Sequence, residues 1–183
     1  MPLNIPSGST NDISFGPGIL YLGVAGTTPT IDVGYISEDG ISVEIASEKK
    51  EIRQGNPSLV EFVFATTQDV TVSLTSIEWD FENFALALAA GVTTVSGSAK
   101  TLSWGGDPIV DAVAIHVQHQ MAVTGNTMSC YVWKAYSESG ITLPLGMEEH
   151  AFELTFKAMR SATDWSGASL PSSQQLIKLS RAL

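Results

Sequence analysis

Strict alternation of apolar and polar side chains recurs through this chain and constrains its fold class more than any other feature. The clearest runs are residues 69–77 (DVTVSLTSI) and 148–158 (EEHAFELTFKA). In the first, Val70, Val72 and Leu74 share one side and threonine and serine residues share the other. A period of two places successive side chains on opposite faces of a strand. The pattern therefore predicts sheets that bury one face and leave the other polar.

Only residues 80–90 (DFENFALALAA) have a helical pattern. Asp80 is a good N-cap, Phe81, Phe84 and Leu88 form an i, i+3, i+7 stripe, and Gly91 provides a C-terminal stop. Helices and strands do not alternate regularly, which disfavours a parallel βαβ sheet. The sequence predicts a mainly β protein, an antiparallel β-sandwich or barrel of two packed sheets with one flanking short α-helix.

Turn signals divide the remaining chain into shorter segments. The Asp-Gly turn at residues 38–40 predicts the start of a hairpin, and Gln68 predicts a second turn between strands 59–67 and 69–77. Residues 92–99 are expected to form a loop. Strands are expected at 101–104, 111–121 and 127–136, and a short amphipathic tail is expected within 174–183. The charged run 48–54 (EKKEIRQ) either continues the preceding strand or forms a long loop.

The length of 183 residues fits about one domain. We expect a flexible N-terminal arm over residues 1–18, a β-sandwich domain over 19–160, and a C-terminal loop and tail over 161–183. That tail is expected to pack on the same domain or on a neighbour. The N-terminal residues lack the pattern of a signal peptide, the longest apolar run is too short to span a membrane, and a single cysteine excludes an intramolecular disulfide. We expect a soluble protein made in a reducing cytosol.

Charge is sparse and strongly acidic. Charged residues make up 15% of the chain, and 19 acidic against 9 basic residues give a net charge of −10. This balance argues against a nucleic-acid-binding surface, because neutralising phosphates requires clustered lysine and arginine. It would suit a surface past which nucleic acid slides without sticking. A low charged fraction is typical of a subunit that covers its surface with copies of itself, but a well-packed β domain explains it equally well.

No recognisable catalytic or metal-binding pattern accompanies these strands. His116 and His119 are three residues apart in a predicted strand, so they point to opposite faces. Cys130 lies in an apolar strand, where a buried inert thiol is the usual case. The glycines at residues 16–18 precede a strand, whereas a phosphate loop opens a helix. We therefore expect no catalytic residues, no cofactor and no metal, and an enzyme is the weakest functional class.

Four segments together resemble the tail tube (major tail) proteins of long-tailed bacteriophages. They are FGPGILYLG (15–23), GYISEDGISVEI (34–45), TVSLTSIEWDFENFALALAAG (71–91) and AFELTFKAM (151–159). The resemblance implies two packed antiparallel sheets with a flanking helix. It also implies six copies in a ring, with rings stacked into a tube in the virion tail that delivers phage DNA. The implied partners are other copies and other tail proteins (initiator or baseplate, terminator, tape measure and possibly a sheath). DNA would pass without specific binding, no membrane is involved, and assembly would occur in the host cytoplasm.

By the logic of that family, two long hairpins line the bore, here expected at residues 41–67 and 111–136. The alternation nominates six lumen-facing residues, namely Ser42, Glu44, Glu61, His116, Gln118 and Gln120. The loop 48–56 and the arm 1–14 are then the expected contacts between stacked rings. Within that loop the candidates are Glu48, Lys49, Lys50, Glu51 and Arg53.

Two other functions stay open at this point. Bacteriocin tubes and secretion-system tube rings share the fold. A carbohydrate- or surface-binding β-sandwich, such as a capsid decoration or adhesin module, is the alternative from another class. It predicts an exposed Trp/Tyr patch, drawn from Trp79, Trp104, Trp133 and Trp165, whereas a tube protein predicts mostly buried aromatic residues.

Overall fold

The structure is a computed structural model, and it describes residues 18–88, 91–106, 110–121, 126–143, 145 and 151–181. Ten strands and two short helices occur in that part of the chain. The strands are β1 Gly18–Val24, β2 Ile31–Asp32, β3 Ile36–Gln54, β4 Leu59–Ser76, β5 Val92–Ser96, β6 Ala99–Ser103, β7 Val113–Gln120, β8 Thr127–Ser137, β9 Phe152–Ala158 and β10 Lys178–Arg181. The helix α1 spans Phe81–Ala87, and a 3₁₀ turn spans Ser172–Gln174.

One large antiparallel sheet contains most of the strands, in the order β2-β1-β7-β8-β9-β4-β3, with β10 also paired to β8. Strands β5 and β6 form a separate two-stranded sheet. The large sheet curls, as the proximity of β1 to β3 shows. A Cβ placed on Gly18 in β1 would lie 3.2 Å from Ile41 Cδ1 in β3. The two ends of the sheet thus approach each other around one core. The expected mainly β, antiparallel, sandwich-like fold with one short helix is confirmed.

Alternating residues fill that core as the sequence predicts. Val70, Val72 and Leu74 in β4 are at most 3% exposed, and Phe152 in β9 is also buried. Helix α1 covers the core with Phe84, whose ring lies 4.7 Å from that of Phe152 in an edge-on contact. The helix begins where expected, because the Asp80 carboxylate accepts a hydrogen bond from the Glu82 backbone N–H. Lys100 pairs with that carboxylate at 2.8 Å and lowers the Asp80 pKa.

The β3–β4 ribbon decides between the two alternatives for residues 48–54 and corrects two other sequence predictions. Residues 48–54 are strand rather than loop, because they pair with β4 as far as Gln54 opposite Leu59. Gln68 is not a turn but lies inside β4, opposite Ser47. The Asp-Gly turn does not open a hairpin either. Gly40 has φ +73° and lies at a register shift within β3, so the signal marks a bulge.

Two further elements differ from expectation. Residues 92–99 do not form a loop, since β5 and β6 pair in a tight hairpin with Gly97 at φ +62°. The expected amphipathic tail contains strand β10, which pairs with β8 residues 128–131. Strand β9 pairs with residues 135–137 of β8, and it is antiparallel to β8 just as β10 is. β9 and β10 therefore occupy one strand position, interrupted by the excursion 159–177. Residues 1–17 of the N-terminal arm expected over 1–18, and residues 148–150 of the strand expected over 148–158, lie outside the described residues, while Gly18 begins β1.

Candidate assembly surfaces

A long two-stranded ribbon projects from the sheet and is exposed on both faces. We call residues 45–68 the arm. Every residue in this range is exposed, whereas alternate residues of β4 from Val70 to Ser76 are buried. The pairing between β9 and β4 ends at Lys157 and Thr71, next to the start of the arm. A two-stranded ribbon without a core is marginal in water. The arm therefore receives little stabilisation from the rest of the single subunit.

One face of the arm is strongly apolar. Phe62 lies opposite Ile52 and Phe64 lies opposite Lys50, which places the two phenylalanines on the same face. Their ring centroids are 6.3 Å apart, and their side chains are 63% and 51% exposed. Val63, on the other face, is 54% exposed. Exposed apolar residues gathered on one projecting element indicate an interaction site rather than ordinary surface.

The five stacking candidates all lie on the β3 side of the arm and are exposed, namely Glu48, Lys49, Lys50, Glu51 and Arg53. Arg53 and Glu51 form a salt bridge of 2.6 Å, and Glu48 accepts a hydrogen bond from Thr67. Within the described residues, Lys49 and Lys50 form no ion pair. The Arg53–Glu51 pair contributes little to stability because it is open to solvent. The arm thus presents cations that remain available to another surface.

Five of the six lumen candidates lie on the outer, non-core face of the large sheet. Ser42 and Glu44 are exposed on β3, opposite Ser73 and Thr71. On β7, His116 and Gln118 alternate with the buried Ile115 and Val117, and Gln120 follows the half-buried His119. Glu61 is separate, since it lies on the arm at the register shift between the pairs Ile52–Phe62 and Arg53–Val60. The two expected hairpins are also not neighbours, because β9 lies between β8 and β4.

The His116 side chain is partly buried, whereas Glu44 is exposed to solvent. Its ring stacks on Tyr131 at 4.8 Å and meets Trp165 edge-on at 5.4 Å, with Tyr21 at 6.0 Å. Burial lowers the pKa of the His116 imidazole. Trp165 belongs to the excursion 159–177, so this segment covers the outer face over β7 and β8. Trp133 anchors the same segment by donating its indole N–H to the Gln174 carbonyl at 2.8 Å.

A second apolar surface lies where α1 meets the β5–β6 hairpin. A cavity of about 280 Å³ is lined by Phe84, Leu88, Leu102, Trp104, Gly140, Ile141 and Leu143. We call it the helix-end groove. Trp104 is 64% exposed and Leu143 is 46% exposed. The Trp104 indole N–H donates to the Leu88 carbonyl at 3.3 Å, which fixes the ring over the end of the helix.

Sequence reasoning missed both the apolar face of the arm and this groove. A signal for the arm was present, because residues 59–64 (LVEFVF) are apolar on both faces, while their pairing partner, 48–54, is mostly charged. A strand buried on both faces does not pair with a charged strand. The groove had no comparable signal, because its lining comes from three distant segments.

The chemistry of the described residues is limited. No group of three or more histidine, cysteine, aspartate or glutamate side chains is placed to hold a metal ion within the described ranges. Cys130 is buried, and this burial raises its pKa to about 11, which makes the thiol a poor nucleophile.

Among the helices in the described ranges, none is long and apolar enough to span a bilayer. Comparison with protein-family models and with curated proteins found no match to this chain.

Proposed function

We propose that this protein is a structural subunit that assembles into rings, and that the rings stack into a phage tail tube through which DNA is delivered. The observation that carries the proposal is the arm. It presents two phenylalanines on a ribbon exposed on both faces, and it has no core of its own. Such a ribbon is stabilised when a second copy covers it.

The free edge of the sheet supports ring formation. Strand β3 is the last strand of the large sheet, and the described residues provide no hydrogen-bonded neighbour on its far side. A long unpaired edge strand is a template for pairing with another chain. Closure of copies into a ring pairs every such edge and leaves none exposed. The ring size of six and the phage setting come from the sequence resemblance alone.

The polar outer face supports a bore that carries DNA. Ser42 and Glu44 share the β3–β4 part of this face with Ser73 and Thr71, whereas the segment 159–177 covers the part over β7 and β8. A lumen lined in this way, in a chain of net charge −10, would repel phosphate and keep DNA from binding. Repeated Glu44 carboxylates around each ring would form negative bands along the tube.

Negative-stain microscopy and sedimentation of the purified protein over a concentration series test the proposal. Rings or tubes at high concentration, or on addition of tail initiator complexes, are the expected result. A monomer at every concentration, with no rings even when seeded, would exclude the tube function.

One observation favours the surface-binding module as a second candidate. Trp104 is 64% exposed, as a member of the patch predicted by that alternative would be. Trp133 is buried at 6%, and Trp165 packs against it at 5.0 Å, which the alternative does not require. A monomer that binds a glycan through Trp104, with binding lost in Trp104→Ala, would support this candidate over the tube.

A further inference from the structure

Three aromatic rings lie side by side across the outer face of the large sheet. Tyr21 in β1 lies opposite His116 in β7, and His116 lies opposite Tyr131 in β8. Directly opposed residues on neighbouring strands share one face of a sheet. The ring centroids are 6.0 Å apart for Tyr21 and His116, and 4.8 Å apart for His116 and Tyr131. We call these three rings the aromatic row.

A charged residue lies at each end of the aromatic row. Asp32 in β2 lies opposite Tyr21, and its carboxylate accepts a hydrogen bond from the Gly34 backbone N–H at 2.9 Å. Lys178 in β10 lies opposite Tyr131, and its Nζ lies 5.8 Å from the centre of that ring. This distance is short enough for a cation–π interaction. A negative and a positive charge are therefore each one ring away from the middle of the row.

Trp165 of the excursion 159–177 covers the aromatic row. Its ring centroid lies 5.4 Å from that of His116 and 5.3 Å from that of Tyr131. It also meets Trp133, which stacks on Tyr131 in the same strand, at 5.0 Å. The Trp165 indole N–H is shielded from solvent and has no hydrogen-bond partner among the described residues. An unpaired buried donor costs free energy, which opening would recover by returning the N–H to water.

The excursion 159–177 is folded so that it can move as a unit. Backbone hydrogen bonds within it include those from the N–H of Ser161 to Gln175, of Asp164 to Ala168, and of Leu170 to Ala162. Two hydrogen bonds attach its ends to β8, from the Met159 N–H to the Lys134 carbonyl and from the Trp133 indole N–H to the Gln174 carbonyl. None of its residues is fully buried. It can therefore swing away from the sheet and keep its internal hydrogen bonds.

The closed cover favours a neutral His116. Burial lowers the pKa of its imidazole. Gln118 Nε2 lies 3.5 Å from His116 Nε2, and because an amide nitrogen only donates, this contact requires an unprotonated ring nitrogen. Lys178 places a positive charge one ring away, and His116 forms no ion pair within the described residues. On the excursion, the Asp164 carboxylate is engaged by two backbone N–H groups of its own loop.

We propose that the excursion 159–177 is a cover that opens when His116 takes up a proton, and that opening exposes the aromatic row to solvent. A protonated imidazole needs water or an acceptor for each of its two N–H groups. The closed cover excludes water and places an amide donor against one of them, whereas the open form hydrates both. This inference is independent of the proposed tube function.

The direction of the pH dependence follows from the two forms of His116. Its pKa is lowered below 6.5 when the cover is closed, so the open form binds the proton more tightly. Closure is therefore most favourable above pH 6.5 and is weakened as pH falls through the closed-state pKa. One proton changes the opening equilibrium by at most about tenfold per pH unit.

Quenching of Trp165 fluorescence by acrylamide measures the opening. The variant Trp79→Phe/Trp104→Phe keeps only Trp133 and Trp165 of the four tryptophans. Adding Trp133→Phe leaves Trp165 alone and removes the hydrogen bond to Gln174, which weakens closure. The quenching rate constant is taken from fluorescence lifetimes in dilute protein, because a protonated imidazole can itself quench an indole.

We expect the quenching rate constant to rise in both backgrounds as pH falls from about 7.5 to 5. The rise should begin at higher pH in the background that lacks Trp133. Adding His116→Phe, which keeps a ring but cannot take up a proton, should flatten the profile, whereas the matched control His119→Phe in the same strand should preserve it. A flat profile in both backgrounds, or an equal rise with His116→Phe, would overturn the inference.

The reactivity of Cys130 separates local opening from unfolding. Cys130 is buried in the core of the sheet, on the opposite face of β8 from the cover. A pyridyl disulfide reagent, which reacts at acid pH, should leave this thiol unmodified throughout the titration. Modification of Cys130 in parallel with the fluorescence change would show that the whole sheet opens, and the cover would then not be a separate device.

Discussion

Reversing the arm cations is expected to block stacking without affecting the fold. In the variant Lys49→Glu/Lys50→Glu/Arg53→Glu, the described residues show only one ion pair that is lost, Arg53 with Glu51, and it is exposed. Exposed substitutions of this kind change the free energy of unfolding by about 0.5 kcal/mol or less each. The melting temperature of the free subunit should therefore stay within a few degrees of wild type.

The effect on stacking should be much larger. Exposed ion pairs contribute about 0.2–1 kcal/mol each, so losing three would remove ~1–3 kcal/mol per arm. If six arms bridge each junction, the loss is ~6–18 kcal/mol, before any repulsion is counted. Each subunit also changes from −10 to −16, since three charges move from +1 to −1. At low salt, rings should accumulate unstacked.

Sedimentation velocity and negative-stain microscopy of the variant measure this effect. The neutral variant Lys49→Gln/Lys50→Gln/Arg53→Gln separates lost attraction from added repulsion and should stack at an intermediate concentration. At 1 M salt the Debye length is ~3 Å, so the reversed variant should recover part of its stacking. Normal tube growth of the reversed variant at low salt would show that these cations are not a stacking element.

Three further outcomes follow from the core, the aromatic cluster and the bore. Leu154→Ala should lower the free energy of unfolding by about 2–5 kcal/mol in denaturant titrations, because Leu154 is 2% exposed. Burial lowers the pKa of His116 in the folded protein, so its contribution to the free energy of unfolding should be complete above pH 6.5. That contribution should be lost as pH falls through the folded pKa, and His116→Phe should weaken this pH dependence. Glu44→Lys should leave assembly intact but slow DNA ejection from assembled particles, with relief at high salt. Normal ejection would place Glu44 outside the bore.

Local patterns predicted the core and the helix correctly. Val72 and Leu74 are buried because their alternation depends only on strand geometry, which each residue and its neighbours define. The Asp80 cap was equally local, since one carboxylate and a backbone N–H two residues away make it. These elements required no knowledge of the pairing partner.

Features that depend on distant pairing were predicted wrongly. Gly40 and Gln68 lie in sequences typical of turns, but their partner strands continue past both positions. At Gly40 a bulge and a turn have the same local sequence, because both can use a glycine with positive φ. β10 was missed for a similar reason, since 19 residues separate it from β9, whose strand position beside β8 it continues. Only the sheet as a whole specifies these elements.

The arm is the place where local pattern and environment disagree most, and this disagreement is informative. Residues 59–64 contain five apolar residues in six positions, a composition typical of a strand buried on both sides, yet each of the six is exposed in the single subunit. A sequence specifies apolar surface but does not specify whether the same chain or another copy covers it. Leaving such a strand uncovered favours uncontrolled edge-to-edge association. Cover by another copy of the chain would remove that hazard. For this reason we propose that another copy covers the arm, which would make it half of an intersubunit core.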